Sequence, residues 1–271
     1  MIEELFLIEK DAYKKSPFHD LDARIKIVLC FSALIAVVSL PYSPLVFRAG
    51  LIFIIFFGIL WASSRLSPVV YLKRLLLVLP FGGFIIFFQI FFQNRYYTVF
   101  HPLLSLPFGI SIYQESIEFA LILLVKFIVS VSFIILLSST TKMQDFLEGA
   151  GRLGMPAEFT LSLGMMIRYL FVFGYVLRKM QQAMESRCFD PFNKELPYKY
   201  RLKKIGYAIG TLFIRSYEQG ERTYISMLCR GYGRKSHLFI RKKAILRYEW
   251  GVLIAGMTFI ILIPLFFLQM Y

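Results

Sequence analysis

Apolar residues run almost unbroken through residues 25–44, 45–63, 72–93 and 116–139, and again through 250–270. Each stretch has about the 17–25 residues that a helix needs to cross a hydrocarbon core. A sixth stretch, Phe159 to Leu177, is apolar but carries Arg168 at its centre. Between 141 and 249 the pattern changes. Apolar residues there recur every three or four positions, which predicts amphipathic helices rather than spans. The expected fold is an all-α membrane protein with about five transmembrane helices and a cytoplasmic block of amphipathic helices before the last span. The segments are 1–24 (cytoplasmic), 25–140 (four spans), 141–249 (cytoplasmic helices) and 250–271 (last span).

Within the block, Thr141 and Gln144 form a capping box before Met143, Phe146, Leu147 and Ala150, and Gly154 and Pro156 end that helix. A long helix from Ala157 to Ser186 follows, its first part lying shallowly against the membrane, and Pro191 and Pro197 mark a turn. The last helix of the block, 206–230, places Ile209, Leu212, Phe213, Tyr217, Tyr224 and Leu228 on one side. Arg215, Glu218, Arg222, Ser226 and Arg230 fall on the other, with Glu218 four residues before Arg222. The 94–114 loop, with Tyr96, Tyr97, Phe100 and Phe108, suits a segment at the membrane interface.

Composition agrees with the pattern: 58% of the 271 residues are hydrophobic, including 29 Phe, and mean hydropathy is +0.63. No water-soluble fold of this size hides that much apolar surface. The net charge of +14 would suggest nucleic acid in a soluble chain, but here its placement decides topology instead. With the N-terminus inside and 159–177 not crossing, 28 of the 31 Lys and Arg lie on the cytoplasmic side. Were 159–177 to cross, the 17 basic residues of 178–249 would move outside. The expectation is a multi-pass protein of the cell membrane, N-terminus in and C-terminus out, with the lipid bilayer and not nucleic acid as its surroundings. The polar first 24 residues are not read as a cleaved leader.

Chemistry-bearing motifs are few. No phosphate loop, zinc-protease or nucleophile-elbow pattern occurs, and Gly231-Tyr232-Gly233-Arg234-Lys235 lacks the spacing for a phosphate loop. Three cysteines form no disulfide framework, and three distant histidines suggest no metal site. Lys126 is the one deep charge and is expected to snorkel or to pair with a polar group on a neighbouring helix.

One short pattern occurs twice at predicted helix ends: Ser186-Arg187-Cys188-Phe189-Asp190 and Cys229-Arg230-Gly231-Tyr232-Gly233, the arginines 43 residues apart. Small neighbours let such a tip enter a groove, where a guanidinium offers a planar fork of donors. At these residues the chain resembles the transmembrane T component of energy-coupling factor transporters, in its CbiQ-type subgroup. The stretches IRSYEQGERTYISMLCRGYGRK (214–235) and SPFHDLDARIKIVL (16–29) carry the likeness in detail. Ser186 and Cys229 stand where that family has Ala, and Cys188 where it has Gly, so a left-handed cap is less comfortable at 188.

The resemblance implies a non-catalytic coupling subunit of an ATP-driven importer. Ser186, Arg187, Cys188, Cys229, Arg230 and Gly231 would be its ATPase-coupling residues. Its partners would be two cytoplasmic ABC ATPases and a membrane-embedded substrate-binding S component, CbiM-like if the substrate is cobalt or nickel. It also implies that this chain binds no cofactor of its own, ATP and Mg²⁺ sitting on the ATPases. Pro80 and the adjacent glycines of Leu79-Pro80-Phe81-Gly82-Gly83-Phe84 would give the membrane end a mobile surface. A vitamin-type importer, a self-contained carrier or channel, and a lipid-modifying enzyme are the alternatives that the residues leave open.

Overall fold

The computed structural model describes residues 11–14, 16–90, 102–106, 110–191, 196–233 and 245–269. They fall into two compact units, one within 8–149 and 243–271 and the other within 150–242. A short 3-10 turn, Asp11–Tyr13, precedes the helices.

The first unit holds α1 (Ala23–Ser39), α2 (Leu45–Ser64), α3 (Pro68–Gln89), α4 (Gln114–Thr140) and α8 (Arg247–Gln269). Its centre is α4, which packs against α1, α2 and α3, while α8 lies on α1 and α2. Because lipid is as apolar as leucine, close packing rather than water exclusion holds such helices together. An aromatic cluster supplies much of it: Phe57 meets Tyr71 at 5.1 Å and Phe133 at 6.0 Å, and Trp61 meets Tyr71 at 5.4 Å. The Tyr71 hydroxyl is satisfied by Ser132 Oγ at 2.8 Å. On α3 the helix runs continuously through Pro80, and among its residues only Gly82 is buried. A Cβ at Gly82 would collide with the ring of Phe127, so the missing side chain is what lets α3 approach α4.

Helices α2, α3, α4 and α8 match four of the expected spans within a few residues and are long and apolar enough to cross a membrane. Helix α1 stops at Ser39, short of the expected 44, because Leu40 precedes Pro41 and turns extended (ψ 137°). At 17 residues it is about 26 Å long, slightly under a hydrocarbon thickness. The fifth helix that satisfies length and apolarity is Ala157–Glu185. The architecture is helical as expected, with one addition. Residues Pro102–Leu106 (β1) and Ile110–Tyr113 (β2) pair antiparallel, with Leu104 opposite Ile112 and Leu106 opposite Ile110. Tyr96, Tyr97, Phe100 and Phe108 of the proposed interfacial loop lie outside the described residues.

Two buried lysines lock α1 and α4 antiparallel. Lys26, at the start of α1, donates to the carbonyls of His19 (2.8 Å) and Thr140 (3.1 Å), the latter being the last residue of α4. Lys126, within α4, donates to the carbonyls of Val38 and Leu40 at the end of α1 and lies 4.1 Å from the Tyr42 ring centre. Each ammonium thus satisfies carbonyls at the negative end of the partner helix, that of Thr140 for Lys26 and those of Val38 and Leu40 for Lys126. Fourteen residues separate Lys26 from Leu40 and Lys126 from Thr140. The two clamps therefore stand roughly 21 Å apart on either helix. Pairing with a neighbouring helix, one of the two roles expected of Lys126, is the one the structure shows.

Helix α5 (Met143–Arg152) starts in this unit, with Leu147 and Gly149 buried. It is stopped as expected: Gly154 is left-handed (φ 115°) and Met155 N–H returns to the Ala150 carbonyl at 3.3 Å. The capping box does not form. Thr141 instead ends α4, its N–H bonded to the Leu137 carbonyl at 3.1 Å, and its buried hydroxyl has no partner among the described residues. Helix α5 opens one residue too late for Thr141: its first N–H to return, that of Phe146, bonds the Lys142 carbonyl at 2.9 Å, so Lys142 holds the N-cap position.

The second unit is two long helices, α6 (Ala157–Glu185) and α7 (Tyr198–Cys229). The expected start of α7 at 206 is too late by two turns. Tyr198 to Lys204 reads Tyr-Lys-Tyr-Arg-Leu-Lys-Lys, with no apolar period to reveal a helix, yet Pro197 positions its first turn and accepts from Tyr200 and Arg201 N–H. None of the α7 residues is buried. The expected Glu218–Arg222 pair forms at 3.8 Å.

Candidate functional site

The two arginine motifs close α6 and α7 with the same backbone turn. After Arg187, Cys188 is left-handed (φ 54°); after Arg230, Gly231 is left-handed (φ 84°). In the first tip, Phe189 N–H reaches the Met184 carbonyl at 3.1 Å and Cys188 N–H the Glu185 carbonyl at 2.9 Å. In the second, Tyr232 N–H reaches Met227 at 3.0 Å and Gly231 N–H reaches Leu228 at 2.9 Å. This 6→1 and 5→2 pairing is a Schellman motif. Small-Arg-small-aromatic is therefore a chemical description of one helix cap: the arginine immediately precedes the left-handed residue, and the aromatic follows it. Cys188 takes the left-handed conformation despite its Cβ, at a cost of about 1–2 kcal/mol.

The repeat is longer than the sequence pattern first suggests. Met184 and Met227 stand three residues before the arginines and supply the carbonyl that closes each cap. Their identical spacing was the available signal.

All six candidate residues, Ser186, Arg187, Cys188, Cys229, Arg230 and Gly231, are exposed. Neither guanidinium has a hydrogen-bond or ion-pair partner among the described residues. The Cys188 and Cys229 thiols are free and exposed, and Cys30 is free and buried. Two donor forks at negative helix ends, held by rigid caps, are equipped to enter an acceptor-lined groove on another molecule.

The second unit keeps the tips apart. The first half of α6 meets the last third of α7, where the Tyr169 and Thr223 hydroxyls bond. A groove of about 390 Å³ surrounds that contact, lined by Met165, Met166, Tyr169, Tyr224, Met227 and Tyr232. The first tip lies at the opposite end of α7: Phe189 packs on Tyr200 at 6.3 Å, and Arg201 Nη1 donates to the Pro191 carbonyl at 3.4 Å. From Tyr200 to Arg230 is roughly 45 Å along α7. That exceeds the roughly 30 Å of a small domain, so two separate bodies can be gripped at once. Arg234 and Lys235, which complete the resemblance at the second tip, lie outside the described residues. Among the described residues no group of three or more His, Cys, Asp or Glu is placed to hold a metal ion.

Long apolar helices packed on α4, joined to a polar pair of amphipathic helices, define a multi-pass membrane protein. The family model described as CbiQ, cobalt transport protein, matches residues 14–239, and the chain belongs to that family. It is 31% identical over 179 residues to the uncharacterized protein MJ1571 of Methanocaldococcus jannaschii, covering 65% of this chain and 59% of that one. It is 33% identical over 131 residues to MJ1089 of the same organism, covering 48% and 47%. A putative fused cobalt transport protein CbiMQ of Methanocorpusculum labreanum is 29% identical over 220 residues, covering 80% of this chain and 35% of that protein. The chain thus spans about half, or less, of the length of the curated relatives it matches.

Proposed function

We propose that this chain is the coupling subunit of an ATP-driven metal importer, without catalytic activity of its own. Two ATPases each take one arginine tip, close on ATP and Mg²⁺ bound to themselves, and reopen after hydrolysis. Their motion travels through α6 and α7 to the membrane helices, which reorient a separate membrane protein that holds the substrate. The observation that carries this reading is the pair of matching caps, each presenting an unpartnered guanidinium, set roughly 45 Å apart. Cobalt is the substrate that the family's description supports, and nickel is the other metal that the resemblance to the CbiQ-type subgroup implies. The fused relative, named CbiMQ, supports a CbiM-like protein as the substrate-holding partner.

The same reading places the protein in the cell membrane with its N-terminus and the 141–249 block inside. The 17 basic residues of 178–249 support keeping α6 from crossing, although its length and apolarity would suffice. Charge reversal tests the coupling role. Arg230→Glu abolishes Co²⁺ uptake and ATPase co-purification while the chain still inserts, and Arg187→Glu gives a smaller loss. Uptake and co-purification both unchanged in Arg230→Glu refute the role.

A further inference from the structure

The first unit contains a buried acid that the two tips do not account for. Glu249, in the first turn of α8, is completely inaccessible to solvent. Its Oε2 accepts the Leu246 N–H at 2.8 Å, just before α8 begins. Its Oε1 accepts the Asp22 N–H at 3.0 Å, just before α1 begins and 227 positions away in the chain. One carboxylate therefore fastens the start of α8 to the start of α1. Asp22 in turn caps α1 through its own side chain, which accepts Arg24 N–H at 3.0 Å.

The connectivity gives this latch its meaning. The chain leaves the first unit through α4 and α5 and returns into α8. The outgoing link is rooted on α1: Lys26 holds the terminal α4 carbonyl at Thr140, and Gly149 of α5 sits where a Cβ would lie 3.1 Å from Ala23 and 3.2 Å from Ile27. The returning link is rooted on the same turn of chain through Glu249. Both covalent routes from the arginine tips thus end on the first turn of α1.

Resting on the coupling reading above, the geometry points to Glu249 as a positioning residue for coupling. It locks the returning chain to α1, so that displacement arriving by either link moves α1 and α8 together. A gap at this point would let the ATPases work while the membrane helices stayed behind. Glu249→Gln creates that gap with little change of volume, because its amide offers one acceptor oxygen and turns an NH₂ donor toward the second N–H.

The test uses the intact complex, co-purified with its ATPases, in proteoliposomes, with Co²⁺ as the transported probe. Co²⁺ uptake per ATP hydrolysed, thermal stability and amide exchange at residues 22 and 246 are measured together. For Glu249→Gln the expected result is assembly and ATP hydrolysis within twofold of the parent, at least tenfold faster exchange at one of the two amides, and at least a fivefold lower Co²⁺ to ATP ratio. Glu249→Asp keeps the charge but shortens the reach. It is expected to lower the ratio at least twofold, and it serves if the glutamine variant does not assemble. A ratio within twofold of the parent despite faster exchange overturns the latch. So does a parallel fall of uptake and hydrolysis with a lowered Tm, which would make Glu249 a stabilising cap alone. If no ATPase co-purifies with the parent chain, the coupling reading itself falls; if ATPases co-purify and the ratio does not move, only the latch falls.

Discussion

Exchanging the left-handed residues of the two caps separates backbone strain from every other property of the tips. Gly231 sits at φ 84°, and nothing lies within 4 Å of where its Cβ would be. Gly231→Ala therefore introduces no collision, only the cost of holding an L-residue left-handed, about 1–2 kcal/mol. At 1.4 kcal/mol per factor of ten, the capped-to-frayed ratio of the second tip falls by about 5–30-fold. Cys188→Gly runs the other way. It relieves the strain at φ 54° but gives back roughly 0.5–1 kcal/mol of glycine chain entropy. The net gain is about 0–1.5 kcal/mol, a ratio raised by up to roughly 12-fold. Amide hydrogen exchange reads both directly, because Tyr232 and Phe189 donate the 6→1 bonds. Exchange at Tyr232 should quicken and that at Phe189 should slow by those factors. ATPase docking by the second tip should weaken in Gly231→Ala by the inverse of its capped fraction. Exchange at Tyr232 within twofold of the parent would refute the assignment of Gly231 to a strained cap.

Replacing Lys126 by Met leaves the Val38 and Leu40 carbonyls without their donor, and Lys26→Met does the same to His19 and Thr140. Each should lower stability by about 1–3 kcal/mol in detergent unfolding, and the two losses should add, since the clamps stand roughly 21 Å apart and share no acceptor. Gly82→Leu drives a side chain into the Phe127 ring and should cost about 1–3 kcal/mol, read as a lowered Tm, whereas Gly83→Ala meets only the flexible end of Leu79 at 3.7 Å and should be near neutral. Tyr169→Phe removes the Thr223 bond and should loosen the α6–α7 crossing by about 1 kcal/mol, seen as faster amide exchange along α7 around Thr223.

What the sequence made legible follows from where its signals reside. Both tips could be found because small-Arg-small-aromatic is written in side chains, and the cap it encodes needs only residues within six positions. The helical starts were less visible. Tyr198 to Lys204 is helical without an amphipathic period, so only Pro197 marked its beginning. Thr141 had the right identity for a capping box but stands one residue before the N-cap position of α5. The long-range ties were beyond reach for a different reason. Lys26, Lys126 and Glu249 bond to backbone carbonyls and N–H groups as far as 227 positions away, and every residue offers those groups except proline, which lacks the N–H. Only the folded chain says which carbonyl is orphaned and which acid lies beside it.

The central claim is that the two tips grip two separate ATPase subunits, and the chain carries its own reporters for it. Cys188 and Cys229 are exposed beside the arginines, while Cys30 is buried. A short thiol-directed photo-crosslinker on variants with one exposed cysteine, Cys229→Ala to leave Cys188 and Cys188→Ala to leave Cys229, should join each variant to one ATPase subunit within the purified complex. The parent chain should additionally give a product containing two. Labelled cysteines that join neither ATPase, or that both join only the substrate-holding membrane partner, would contradict the account.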